Sequence, residues 1–185
     1  RIVRHFLGLL NWNVQIWVGT RNGKMIESNP LLSHLIESGR IELVRLPEIK
    51  KFTKEFFNAL MTSPMFWKRV SGEHVLLFQT DSVLCERTST SISEFLHYDY
   101  VGALFYQMWP FCPSQFPATV FPENHCQGNG GLSLRSRSTM IRVTEAFEWK
   151  TNQSNEDVFL SSRAHLVGGI TASIHVAESF SVETI

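Results

Sequence analysis

A chain of 185 residues is long enough to close one full hydrophobic core and too short to hold a second sizeable domain. Its 17 Lys+Arg are balanced by 17 Asp+Glu, so no broad electrostatic attraction to nucleic acid or an anionic membrane is expected, and an anionic ligand has to be held by a local site. Cys85, Cys112 and Cys126 have neither the number nor the spacing of a disulfide framework or a zinc site, which makes reduced thiols the default and a Cys112–Cys126 bridge the alternative.

Ile2, Phe6 and Leu10 recur at four-residue spacing and predict a short helix from Arg1 to Leu10 that Asn11 ends. Val14 to Val18 reads as a strand closed by Gly19. Asn29 and Pro30 have the character of a cap and a first turn, so a helix is expected there, with Leu31, Leu32, Leu35 and Ile36 as its buried stripe and Gly39 as its stop. Ile41 to Leu46 alternates as a second strand. Phe52 to Leu60 and Pro64 to Val70 read as helices whose Phe56, Phe57, Phe66 and Trp67 belong to the core. The run Val75-Leu76-Leu77-Phe78 has no alternation, the pattern of a strand covered on both faces, and it is followed by a lone carboxylate at Asp81. Helix and strand alternate up to this point, which is the order of a parallel sheet with crossover helices.

Beyond Asp81 the character changes. Ile92 to Leu96 is a short helix and Tyr98 to Gly102 a short strand. Trp109 to Asn124, rich in Pro and aromatics with no period, reads as a long loop of the kind that serves as a lid or binding loop. Gly128-Asn129-Gly130-Gly131 makes a bend entering Leu132-Ser133-Leu134, and Ser138 opens a helix with Met140, Val143 and Phe147 inward. Glu156 and Asp157 start a further apolar stretch, Val158 to Leu160, and Ser173 to Glu183 is expected to return as a strand. Asn152-Gln153-Ser154 matches a glycosylation sequon by accident. No apolar run approaches the roughly 20 residues of a membrane span, and the compartment is left open between cytoplasm and Golgi or secretory lumen.

Three of these stretches could carry chemistry. In open α/β sheets ligands bind beyond the carboxyl ends of strands, so Asp81 stands where a cation, hydroxyl or phosphate would be met; the plainer alternative is a turn residue. The glycine stretch lacks the Lys-Ser/Thr of a P-loop, and the third glycine of a dinucleotide fingerprint would fall on Ser133. What it supplies is backbone that takes positive φ and lets a neighbour come close. Arg135 beyond it is a planar fork suited to a diphosphate, or else a surface salt bridge. Glu156 and Asp157 near a helix start are stabilised there by free N–H groups and the macrodipole. As catalysts, one would take a proton from a hydroxyl nucleophile while the other positions it. The seven histidines show no HxxxH or HExxH spacing, and no serine sits in a Gly-x-Ser-x-Gly elbow.

Phe78-Gln79-Thr80-Asp81-Ser82, Tyr98-Asp99-Tyr100-Val101-Gly102, Gly128 through Ser136 and Asn155-Glu156-Asp157-Val158-Phe159, in this order, resemble a family of glycosyltransferase-like domains grouped with GT-A nucleotide-sugar transferases and similar to the β-galactosyltransferases. The resemblance implies a GT-A-like (Rossmann-like) α/β fold. Its central, mostly parallel sheet would be flanked by helices in a single domain over residues 1–185, cropped at both ends. It implies a glycosyltransferase that moves a sugar from a nucleoside diphosphate, UDP-sugars favoured, to a hydroxyl of a glycan, protein or lipid, with inversion. Asp81 then falls in the Asp-x-Asp element that holds Mn²⁺ or Mg²⁺ on the diphosphate, with Gln79 as an amide where the first carboxylate is expected. Gly130 and Gly131 correspond to the bend beside the donor sugar, Asp157 to the general base and Glu156 to an acceptor contact. The degenerate triplet keeps open a catalytically inactive carbohydrate- or nucleotide-binding module of the same fold. A third possibility is an interaction domain built on Trp109 to Phe121.

Overall fold

The computed structural model describes residues 1–47, 52–85, 90–105, 126–151 and 154–181. The loop from Trp109 to Asn124, Cys112, Asn152, Gln153 and Glu183 lie outside the described residues. The chain is α/β, with a parallel pair of strands and a separate antiparallel group of three. The chain forms two compact units, Arg1–Thr53 with Val83–Arg87, and Lys54–Ser82 with Thr88–Ile185. No helix among the described residues is long and apolar enough to cross a membrane.

The first unit carries α1 (Ile2–Leu10), β1 (Val14–Val18), α2 (Thr20–Glu27), α3 (Ser33–Glu37) and β2 (Ile41–Arg45). Asn11 ends α1 as expected, in the left-handed conformation at φ 55° with its N–H on the Leu7 carbonyl. β1 and β2 pair in parallel from Val14 against Ile41 to Val18 against Arg45, and the helical crossover between them is what a parallel pair requires. Phe6, Leu7, Val14, Val18, Ile41 and Val44 are buried. His5 Nε2 lies 3.0 Å from the Leu84 carbonyl, which ties residue 84 to α1. The second helix differs from expectation at its start. Asn29 Oδ1 does accept the Leu31 N–H at 2.9 Å, but residues 30–32 form a turn, the helix proper begins at Ser33, and Leu31 is 58 % exposed. α2 has no apolar stripe and buries only Gly23, so periodicity had nothing to register.

The second unit holds α4 (Lys54–Met61), α5 (Pro64–Arg69), β3 (His74–Phe78), a 3-10 turn (Ile92–Phe95), β4 (Tyr100–Leu104), β5 (Gln127–Ser136), α6 (Arg137–Ala146), α7 (Glu156–Ala164), a 3-10 turn (His165–Val167) and α8 (Ile174–Phe180). Its sheet runs β3-β5-β4, with both outer strands antiparallel to β5. This corrects the reading of the strand before Asp81: β3 pairs antiparallel, from His74 against Ser136 to Phe78 against Leu132, and its Val75 to Phe78 are half-buried rather than closed on both faces. An apolar run reports burial, not the direction of its partner. The core gathers Trp67, Tyr100, Val101, Leu134, Met140, Val143, Phe159 and Leu160, with α7 packed on β5 and α6. Trp67 donates its indole N–H to the Met61 carbonyl at 2.7 Å, as a buried indole must find an acceptor.

Three further expectations change. α6 is capped by Ser136, whose Oγ accepts the Thr139 N–H, rather than by Ser138. Ser138 instead donates its hydroxyl and its N–H to Glu73. The segment expected as a final strand contains α8: Ile174 and Ala177, three apart, are its buried positions, a helical rather than an alternating spacing. Finally, Cys126 is disulfide-bonded and Cys85 is free and exposed, so reduced thiols throughout are not what the fold contains.

Candidate active site

The site is built on an irregularity in β5. Gly102 of β4 faces Ser133, but the next residue, Ala103, faces Asn129, so Gly130, Gly131 and Leu132 stand opposite no β4 residue. A bulge of this kind bends the strand and leaves backbone groups without ladder partners. The Gly130 N–H is one of them, and it donates to Asp157 Oδ2 at 3.2 Å. Asp157 lies in the first turn of α7, half-buried, and its Oδ1 accepts the Val158 N–H at 2.8 Å. The glycine at 130 is a steric requirement: a Cβ there would stand 2.7 Å from Glu156 Oε1, 3.0 Å from Arg135 Nη2 and 3.1 Å from Asp157 Cβ. Gly128 serves the conformation, at φ 130°. The glycine run is therefore part of a strand, and the space above Gly130 is filled by the protein's own charged groups.

Glu156 and Arg135 form a buried ion pair. Arg135 Nη1 donates to Glu156 Oε2 at 2.8 Å and Nη2 to Oε1 at 3.4 Å, with side-chain exposures of 0 % and 4 %. Nε donates to Ser133 Oγ at 3.0 Å. The guanidinium lies 4.8 Å from the Tyr100 ring centroid, a cation–π contact in a desolvated setting, and 5.9 Å from that of Trp67. Tyr100 in turn donates its O–H to the Gly128 carbonyl at 2.8 Å. Asn155 stands at the helix cap with no side-chain bond, and the Glu156 N–H is taken at 3.2 Å by Asn58 Oδ1 from α4. Burial pushes the Glu156 carboxyl above its ordinary value although Arg135 pulls against it. For Arg135 burial acts in the opposite sense and the Glu156 charge overcomes it, so its proton is held more firmly than usual. Burial also drives the Tyr100 phenol well above its usual range, against the nearby Arg135 charge.

The turn after β3 docks on the other side of the bulge. The Gln79 N–H donates to the Gly131 carbonyl at 2.9 Å, and Ser82 Oγ donates to the same carbonyl at 2.7 Å. The Ser82 N–H on the Gln79 carbonyl, at 3.1 Å, closes the turn. Gln79, Thr80 and Asp81 are all exposed. The Gln79 amide oxygen would lie 3.8 Å from a Cβ at Gly131, and Asp81 has no hydrogen bond or ion pair among the described residues. No group of three or more His, Cys, Asp or Glu side chains that could cage a metal occurs among the described residues. The oxygens of Asp81, Thr80 and Gln79 suit a hard cation only if phosphate oxygens complete its shell.

The expected site residues thus meet at β5: Gln79 beside Gly131, and Glu156, Asp157 and Arg135 beside Gly130. Arg135 is neither on the surface nor free to receive a diphosphate, and both Glu156 oxygens face its guanidinium. Asn58, Ser133 and Tyr100 support the pair and were not singled out from sequence as its partners. Asn58 carried a readable signal, since it lies three residues before Met61 on the buried side of α4.

No curated protein and no solved structure matches the chain. Residues 40–185 match the family described as "Protein of unknown function (DUF5672)", a span that takes in Asn58, the Gln79 turn, the whole of β5 and the start of α7. The chain belongs to the DUF5672 family.

Proposed function

We propose that this protein is a glycosyltransferase of GT-A type, in which Asp157 is the general base and the Gln79 to Asp81 turn receives the diphosphate of a nucleotide sugar. The observation that carries the reading is the convergence at the β5 bulge: a half-buried carboxylate held by the Gly130 N–H, and an exposed carboxylate turn hydrogen-bonded to the Gly131 carbonyl. Displacement at an anomeric carbon needs these two provisions, a base for the acceptor and a place for the leaving diphosphate.

In the proposed reaction Asp157 takes the proton of the acceptor hydroxyl as its oxygen bonds to the anomeric carbon. The bond from that carbon to the donor diphosphate breaks on the opposite face, its electron pair leaves with the phosphate oxygen, and the configuration inverts. Asp81 would share a Mn²⁺ or Mg²⁺ ion with the diphosphate, and that ion would supply charge neutralisation on the leaving group. Gln79, an amide, holds its place beside Gly131 without adding charge.

Turnover of UDP-sugars in the presence of hydroxyl acceptors tests the reading. Asp157→Asn is expected to abolish transfer while UDP-sugar binding survives, and Asp81→Asn to weaken UDP-sugar and Mn²⁺ binding. Undiminished turnover in Asp157→Asn would remove the assigned base. A second reading, an inactive sugar- or nucleotide-binding module, is favoured by one feature: the triplet offers a single carboxylate, Asp81, in an exposed turn. Saturable UDP-sugar binding without turnover against any acceptor would decide for it.

A further inference from the structure

Glu156 and Asp157 are neighbours in sequence and strangers in environment. Glu156 is 3 % exposed, with both oxygens on one guanidinium, whereas Asp157 is half-buried with one oxygen on a bulge N–H. Two adjacent carboxylates repel each other, and here a cation is set against the first and a backbone donor against the second. Arg135 and Gly130 belong to the same strand, and Arg135 Nη2 would stand 3.0 Å from a Cβ at Gly130.

We infer that the buried Arg135–Glu156 pair is a positioning device that holds the Asp157 carboxylate against Gly130, and that Glu156 does not touch an acceptor. The same cation anchors the backbone on both sides of the Asp157–Gly130 hydrogen bond. Through Glu156 it fixes the first turn of α7, whose leading N–H is closed by Asn58. Through Tyr100, stacked on the guanidinium and bonded to the Gly128 carbonyl, it fixes the bulge. Asp157 then has one orientation, set by protein rather than by ligand. For a base this matters, because a misplacement of about 1 Å is enough to cost on the order of 100-fold in rate. Among the described residues, the groups that feel the Asp157 charge include Glu156 on its own helix, Arg135 on β5 and Tyr100 on β4.

The kinetic arm of the test rests on the transferase reading; the spectroscopic arm does not. Arg135→Met combined with Glu156→Leu removes both charges at similar volume, an exchange that buried ion pairs tolerate in folding. Either change alone leaves a buried unpaired charge and serves as the folding control. In the wild type the ¹⁵N–H shift of Gly130 should follow the ionisation of Asp157, with Asp157→Asn as the reference for its loss. The double variant is expected to unfold cooperatively, to lose that pH-linked shift, and to lower kcat for UDP-hexose turnover about 100-fold with KM little changed. A folded double variant that keeps both the Gly130 titration and the wild-type kcat overturns the inference. Arg135→Lys keeps the charge and loses the fork; it decides the matter if the double variant does not fold, an unchanged Gly130 titration and kcat again overturning the role. If the wild type turns over no UDP-hexose, the transferase reading fails separately and the Gly130 amide alone decides.

Discussion

The two sides of the β5 bulge carry acidic groups under opposite conditions, and the contrast separates a closed, fully paired interior from an open, unpaired surface. Behind Gly130 the Arg135–Glu156 pair is shut off from water with its donors and acceptors matched, an arrangement that is costly to break and cannot meet a ligand without breaking. In front of Gly131 the Gln79 to Asp81 turn is exposed, and Asp81 has no partner among the described residues. Asp157 lies between the two regimes, half-buried and held by two backbone N–H groups whose bonds still leave a lone pair on each oxygen. Burial with complete pairing marks a residue that supports a site; partial exposure with incomplete pairing marks one that can act in it.

The contrast can be broken most severely from the buried side. Glu156→Ala leaves the Arg135 charge unpaired in the interior and is expected to cost about 3–5 kcal/mol, read from denaturant unfolding. Next in size is Gly130→Ala, whose methyl meets Glu156 Oε1 at 2.7 Å and Arg135 Nη2 at 3.0 Å. Because the obstacle is a buried, bonded pair rather than a loose side chain, a cost of about 1–3 kcal/mol is expected, with loss of any Asp157-dependent activity.

A subtler effect lies in the acid limb of stability. Asp99 accepts the Thr139 hydroxyl at 2.6 Å and the Ile170 N–H at 2.7 Å. Burial works to raise its carboxyl, but these bonds, Ser136 and the Arg142 charge outweigh it and hold the carboxyl below its ordinary value. A lowered folded value means that the stabilisation is present above the ordinary aspartate range and is lost as pH falls through the folded value. Asp99→Asn should therefore flatten the loss of stability on acidification within that window, measured by thermal unfolding across acidic pH. The smallest effect on the fold is expected in the front turn. Asp81→Asn should leave the unfolding midpoint of the free protein nearly unchanged and reduce only the thermal shift produced by UDP-sugar with Mn²⁺. A large loss of intrinsic stability in Asp81→Asn would place that residue on the closed side of the comparison.

Local signals in the chain were strong enough for most elements. Asn11 at a helix end, the alternation from Ile41, and Pro64 before Phe66 and Trp67 each depend on a few neighbouring residues, and β2, α5 and the end of α1 appear where they place them. The candidate acids could be chosen for the same reason, since an isolated carboxylate after an apolar run and a carboxylate pair after a polar one are visible in one dimension. The α/β character, most of the helices and strands, and the candidate acids are thus legible in one dimension. The tertiary structure decided the rest. Strand direction depends on a distant partner, so β3 turned out antiparallel to β5. The last helix, expected as a strand, follows from the burial of Ile174 and Ala177 on one helical face. The contrast between Glu156 and Asp157 has the same origin: adjacent carboxylates are chemically alike in a sequence, and only Arg135, twenty-one residues earlier on a bulged strand, closes one of them in a buried ion pair while the other stays half-buried on a backbone N–H.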